Sequence, residues 1–443
     1  MVLGVALLLG LAPEGVLAAD TPSGPQPLPE VWTPRQAVAY ALTSAPDVRL
    51  AGHRIQAAQS LVAQAESALY PQLRLGGGYS QTDNPMYSFG NILNQGAFNN
   101  GIDFNDPGRT DSLQASATVS YRLLSGGADS ARIAGAQAQA EAMALELATV
   151  HNQLGFETVR AVCTIVQAEE MTAARQAAME ALDAALSVAH ARHDQGDLLA
   201  ADLLDLEARH SQAGENLIQS RHGLELARKS FLHLLGFTEG EARVASGDEC
   251  HDEQAASVDI SARPELKTAE ALVRAAEAGV RVARAGRYPT VDGFAGYQYE
   301  HGFENDGAGD SWNVGVRLNY SLFDGQRTSS TIREAEARLA EARERQRKLM
   351  LALNLELTQA RLARQQAEER VVVTGKMVAQ ATESARLQRE RFTQGLLLSA
   401  GLIDVENRLT EARVRQAQAN AALRTAMADL RRAQGKPQFE EAR

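Results

Sequence analysis

The sequence predicts a mainly α-helical protein with a small β part, built as two tandem copies of one structural unit. Aromatic residues make up only 5% of the 443 positions, against 44% hydrophobic overall. The apolar content is therefore mostly Ala, Leu and Val, which with abundant Glu, Gln and Arg favours long helices packed at close range. One stretch is written twice. Arg192 to Arg209 reads RHDQGDLLAADLLDLEAR, Arg391 to Arg408 reads RFTQGLLLSAGLIDVENR, and ten positions coincide without a gap. The spacing also repeats: Tyr121-x-Leu-x-x-Gly126 returns as Tyr320-x-Leu-x-x-Gly325, 199 positions on, the separation that also parts Gln195 from Gln394. A helix of about 60 residues lies between these marks in each copy, the two kept in step.

Val2 to Leu11 is an apolar run followed by Pro13 and the small-residue site Val16-Leu17-Ala18. Residues 1–19 fit a secretory signal and are too short for a membrane span, although no Lys or Arg precedes the run. Residues 20–235 form the first repeat. A short helix over Thr33 to Leu42, found only in this copy, precedes an Ala-rich helix from Pro46 to Leu69. Tyr70-Pro71 ends it, because proline disfavours the helical state of the residue before it. A strand, a polar loop over 80–112 and a second strand follow. The long helix, a tip near 195–199 and a returning helix to about Leu235 complete the unit. Residues 236–262, rich in Gly, Asp, Glu and Ser, read as a linker.

The second repeat, 263–434, keeps the order. Its Ala-rich helix runs from Pro264 to Arg287, Tyr288-Pro289 breaks it, the tip lies near 394–398, and the last helix reaches about Leu430. Residues 435–443 are a short polar tail. Tyr70 and Tyr288 are 218 positions apart, so 19 extra residues lie between Tyr79 and Tyr121 in the first copy. Strands show a period of two. Leu113, Ala115, Ala117, Val119, Tyr121 and Leu123 alternate with polar residues, as do Trp312, Val314, Val316, Leu318, Tyr320 and Leu322. At each tip a glycine, Gly196 or Gly395, suits a helix C-cap. In the last helix Leu402, Leu409, Leu423 and Leu430 form one heptad row and Val405, Ala412, Ala419 and Ala426 the other, with Gln416 as the exception. Large residues facing small ones suit closely approaching helices.

A net charge of −11 argues against nucleic acid as a partner. No segment reaches 18 uninterrupted apolar residues, so no transmembrane helix is expected. Cys163 and Cys250 could pair in an exported chain; the simpler reading makes Cys163 a small buried residue. Gly76-Gly77-Gly78 lacks the Lys-Ser/Thr of a phosphate loop. His190 and His193 lie one turn apart near a tip, where two lone histidines are more often solvated than metal-bound. No nucleophile–base pattern or paired catalytic carboxylates stand out, so no reaction, cofactor or metal is assigned.

Four strands of about ten residues match tilted bilayer-crossing strands. Four cannot close a barrel, and an open edge in lipid leaves backbone groups unpaired. Closure demands several chains, and three would supply twelve strands. Tyr79, Tyr297, Tyr299 and Trp312 would then form an aromatic belt at the membrane interface. The competing reading is a soluble sheet half-buried against the helices. The helices weigh against it: about 60 residues span roughly 90 Å, too long for a compact domain.

The paired tips (Gln195-Gly196-x-Leu-Leu and Gln394-Gly395-x-Leu-Leu), the Tyr-Pro breaks, the Tyr-x-Leu-x-x-Gly strand exits and Arg263-Pro264-Glu265-Leu266 together resemble the TolC family of outer-membrane efflux and secretion channels. The likeness covers nearly the whole mature chain. It implies a homotrimer with a 12-stranded β-barrel in outer-membrane lipid and an α-helical barrel across the periplasm. It further implies tips that meet a periplasmic adaptor protein, itself linked to an inner-membrane pump of RND or ABC type. In the family, acidic side chains at the start of the last helix project into the pore. The matching residue is Asp404, with Asp205 its counterpart in the other hairpin. The position one turn earlier, often acidic in the family, is Gly401 here. Gly196, Leu198, Leu199, Gly395, Leu397 and Leu398 match the adaptor-docking tips. The exit duct of a type I protein secretion system shares the fold, and a secreted structural coiled-coil protein or adhesin is the alternative of another class.

Overall fold

The computed structural model describes residues 29–245 and 260–439. The signal-like segment, most of the inter-repeat linker with Cys250, and the last four residues lie outside the described residues.

The chain opens with β1 (Val31–Trp32) and α1 (Pro34–Ser44). Thr33 caps α1 by accepting from the Gln36 backbone N–H, while the Gln36 side chain accepts from the Thr33 N–H in return. Next come α2 (Pro46–Glu66), extended by a 3-10 turn over Ser67–Leu69, then β2 (Gln72–Thr82), α3 (Pro85–Asn94) and β3 (Thr110–Leu124). The long hairpin is α4 (Ala128–Asp194) and α5 (Ala200–Leu234). After β4 (Arg243–Val244) the second repeat lays down α6 (Pro264–Ala285), β5 (Thr290–Gly302), β6 (Gly307–Asn319), α7 (Arg327–Thr393) and α8 (Ser399–Ala433). Both long helices have 67 residues and both returning helices 35, and every one of their ends falls 199 positions from its counterpart. At 1.5 Å per residue each long helix runs for about 100 Å.

Each long helix is lined by two shorter helices set end to end. Where α5 ends, Gly236 meets Pro46 at the start of α2; where α8 ends, Gly435 meets Arg263 and Pro264 at the start of α6. The first junction is filled by the largest core. Trp32, Ala37, Ala41, Leu154, Ile165 and Phe231 pack there with Val244, and the Trp32 and Phe231 rings meet edge-on at 5.9 Å. The second junction is ionic. Arg263, almost fully buried, donates to Glu356 at 2.6 Å, to Glu265 at 2.5 Å and to the Ala433 carbonyl at 3.1 Å. The last bond satisfies a carbonyl that the end of α8 leaves unpaired.

The expected heptad rows of α8 are inside. Leu402, Leu409, Leu430, Val405, Ala412, Ala419 and Ala426 are buried, while Leu423 and Gln416 are half-buried. Cys163 is buried beside Val38, Phe156, Val159 and Ala428.

The four long strands make one antiparallel sheet in the order β2-β3-β5-β6. Four expectations need correction. The second strand of the second repeat ends at Asn319 rather than Leu322. Asn319 pairs with Thr290, the first residue of β5, so the ladder stops there while Tyr320 and Leu322 continue the alternation beyond it. The 80–112 loop is not irregular: it holds α3, and Phe89, Phe98 and Phe104 cluster with centroids 4.7–6.3 Å apart. The linker contributes Val244, which pairs in parallel with Trp32. The tail is partly anchored: Gln438 is buried and donates to the Ala428 carbonyl at 3.0 Å.

Candidate channel wall and tips

Directly paired residues of an antiparallel sheet share a face, so the register sorts the two faces. Leu73, Leu75, Tyr79, Val119, Tyr297, Tyr299, Trp312, Val314 and Val316 fall on one. These side chains are exposed, so the reading of a soluble sheet half-buried against the helices does not hold for this chain. All four expected belt aromatics lie on this apolar face: Tyr297 sits opposite Trp312, Tyr299 opposite Asp310, and Tyr79 opposite Leu113.

The other face is polar. Arg122 pairs with Asp292 at 3.1 Å, and Arg317 lies over the Phe294 ring at 5.2 Å. At the far end α3 lies across this polar face. Gly309 makes the approach possible, since a Cβ there would sit 2.0 Å from the Asn94 carbonyl oxygen. Asn94 donates to the buried Glu300, and Gln95 to the Asp111 carbonyl at 2.7 Å. Gly76, in β2, approaches Ser116 across the ladder and has no part in a phosphate loop.

The tips are two copies of one helix ending. Gly196 and Gly395 carry φ of +83° and +78°, a backbone state that glycine adopts without strain. Asp197 N–H reaches back to the Arg192 carbonyl and Leu396 N–H to the Arg391 carbonyl, both at 2.8 Å. This six-to-one bond ties off the helix end. The expected leucine pairs then split. Leu198 is buried and Leu397 half-buried in a tip core with Leu182, Ala189, Leu206, Phe392 and Leu402, whereas Leu199 and Leu398 are 72% and 71% exposed. This is a correction for Leu198 and Leu397 as surface residues. Gly401 explains the inward turn of Leu397, because a Cβ at Gly401 would sit 2.8 Å from Leu397 Cδ1. Leu396, exposed beside Leu398, belongs to the same surface, and the repeat does not mark it because its counterpart is Asp197.

Asp404 is exposed but pairs with Arg408 at 2.6 Å. Asp205 is exposed and, among the described residues, has no such ion pair. His190 and His193 have separate partners: His193 Nδ1 donates to the Leu198 carbonyl at 2.9 Å, and His190 lies 3.7 Å from Glu207. The position 199 after His190 is Arg389, which grips the buried Glu406 at 2.6 Å. The hydrogen bonds and charge of Glu406 hold the Arg389 guanidinium above its ordinary pKa against the effect of burial. Among the described residues no group of three or more His, Cys, Asp or Glu could hold a metal, and no helix is long and apolar enough to cross a membrane.

The family described as "Outer membrane efflux protein" matches residues 38–236 and again residues 258–436, once per repeat. The chain belongs to that family. The outer membrane efflux proteins are passive channels of the outer membrane with a periplasmic helical extension, not enzymes, and the secreted coiled-coil alternative falls with this membership. A similar relative is the outer membrane efflux protein BepC of Brucella suis biovar 1, 24% identical over 223 residues. That match covers 48% of this chain and 47% of BepC, so the chain spans about half the length of the curated relative it matches. The fold is shared with VceC from Vibrio cholerae (17% identity, TM-score 0.74, 92% of this chain and 97% of that one). It is shared also with the Campylobacter jejuni CmeC outer membrane channel (15% identity, TM-score 0.77, 92% and 87%).

Proposed function

We propose that this outer membrane efflux protein is the trimeric exit duct of a three-part efflux system, passing small molecules from an inner-membrane pump and periplasmic adaptor to the outside. One observation carries the reading. The sheet leaves both edge strands, β2 with 11 residues and β6 with 13, unpaired on their outer sides, with its apolar face exposed above helices about 100 Å long. Unpaired edges and bare apolar surface are both costly, and a ring of sheets in lipid removes both at once. Because each chain brings an even number of antiparallel strands, β6 of one subunit meets β2 of the next in antiparallel sense. Twelve strands is an allowed barrel size. Tyr79, Tyr297, Tyr299 and Trp312 on the lipid side supply interfacial anchors.

The purified protein is expected to run as a heat-modifiable trimer and to conduct ions in planar bilayers; a monomer without conductance would end this reading. Genes for a proton-driven pump beside the chain's own gene would support efflux, whereas an ABC exporter beside its secreted substrate would point to the secretion duct instead.

Leu199, Leu396 and Leu398, set beside Gly196 and Gly395, form the adaptor-facing surface. Leu199→Asp with Leu398→Asp is expected to abolish drug tolerance while trimers persist in the outer membrane. Full tolerance in that double variant would remove these leucines from docking.

Asp404 and Asp205 line the narrow periplasmic end, where a ring of carboxylates attracts cations. Arg408 partly neutralises Asp404, so the two substitutions act in opposite directions. Asp404→Ala is expected to lower cation preference in single-channel recordings and Arg408→Ala to raise it. Equal selectivity in both variants would place the pair away from the constriction.

A further inference from the structure

We infer that the contact joining the two tips within one chain is repeated between chains, with Arg391 of one subunit clasping His193 of the partner subunit. This rests on the trimeric reading above and names the residues that close the ring at the tips.

Within the chain the clasp is made by Arg192. Its guanidinium lies 5.5 Å from the Phe392 ring centroid and donates to the Phe392 carbonyl at 3.3 Å and to the Asp197 carbonyl at 3.3 Å. A cation over an aromatic face plus two charged hydrogen bonds is a strong local tie. The 199-residue frame maps Arg192 onto Arg391 and Phe392 back onto His193, within helices whose ends all coincide under that shift. The two tips therefore carry corresponding parts, an arginine in each and a histidine where the second tip has Phe392, and one chain engages only Arg192 with Phe392.

Exposure marks which half is used. Phe392 and Ile403 of the second hairpin are 2% and 5% exposed, buried against the first hairpin of the same chain. Their counterparts on the first hairpin, His193 and Leu204, are half-buried and 63% exposed. Arg192 is half-buried, whereas Arg391 is exposed, and among the described residues no hydrogen bond or ion pair engages the Arg391 side chain. The half left open within the chain is the Arg391 donor and, on the first hairpin, the Leu204 side chain beside a His193 ring that is only half-buried and tied at Nδ1 to the Leu198 carbonyl. A second copy of this chain fits both, because in a closed ring each second hairpin adjoins the first hairpin of the next subunit. Arg391 then lies over the ring of the partner's His193, which presents a carbonyl as Phe392 does, and the partner's Leu204 takes the place that Ile403 has within the chain.

The test uses the full-length trimer with Cys163→Ala and Cys250→Ser as background. Arg391→Cys combined with His193→Cys is treated with a short bifunctional thiol reagent. Covalent dimers and trimers are expected after full denaturation, and neither single-cysteine variant should give them. Native trimers on an unheated gel without any linked product would overturn the clasp and leave the channel reading standing. Absence of native trimers in the background protein would overturn both. A second variant adds function instead of removing it. His193→Phe copies the in-chain ring but gives up the bond to the Leu198 carbonyl, so it is read against the same change combined with Arg391→Ala: trimers that keep Arg391 are expected to dissociate at the higher temperature, and equal temperatures in the two would overturn the proposal.

Discussion

Arg263→Ala is expected to destabilise the helical body by about 3–5 kcal/mol, the usual effect of removing one member of a buried charge group. Arg263 is 2% exposed, and its loss takes the donor from Glu265 and the Ala433 carbonyl and leaves Glu356 with Arg432 alone, at the point where α8 gives way to α6. Burial lowers the Arg263 pKa, but hydrogen bonds and charges from both carboxylates outweigh it and raise the pKa. Burial likewise raises the Glu356 pKa, and the hydrogen bonds and charges of Arg263 and Arg432 outweigh it and hold that carboxyl below the usual range. A depressed carboxylate stabilises the fold above its unfolded pKa, roughly 4, and that contribution disappears as pH falls through the folded value. The wild type should therefore lose thermal stability on acidification below about pH 4 more steeply than Arg263→Ala does. Arg263→Lys, which keeps the charge but not the fork, should fall between the two. Circular dichroism melts across pH test this, and parallel curves for wild type and Arg263→Ala would show that the junction is held by packing alone.

The second large effect is expected at the tips. Phe392→Ala removes a ring that is almost fully buried and the platform beneath Arg192. Truncating a buried Phe costs about 3–5 kcal/mol, and here the loss is local, because the tip core lies far along the helices from the core at the α5–α2 junction. Hydrogen exchange should quicken over 182–206 and 385–405, while protection in the sheet and at the α5–α2 junction stays as in the wild type. Unchanged exchange at the tips would mean that Phe392 does not hold the two hairpins together.

The helical framework was legible because it obeys one number. Tyr121 to Tyr320 and Gln195 to Gln394 share a separation of 199, and the long helices begin and end in that frame. Strand faces were legible for the same kind of reason: a period of two survives in sequence whatever the sheet packs against. What sequence could not give was decided by contacts between segments far apart. Leu198 and Leu199 are adjacent leucines in one motif, and only the packing of the two hairpins against each other sends one inward and leaves the other outside. The end of β6 was set by where β5 begins, not by the continuing alternation at Tyr320 and Leu322. The order within 80–112 depends on Gly309, more than 200 positions away from the Asn94 it accommodates. Arg389–Glu406 was not legible because the first copy has His190 in place of Arg389, so the pair is not written twice.

The equal rods carry a further implication for the envelope in which they stand. A helix bonded residue by residue does not stretch, so two matched sets of about 100 Å act as a fixed gauge. Lengthening one hairpin by a heptad would leave a step at the rim, and only a matched insertion in both copies would keep the opening level. Where the gap between the two membranes exceeds the gauge, whatever meets the rim must bridge the remainder.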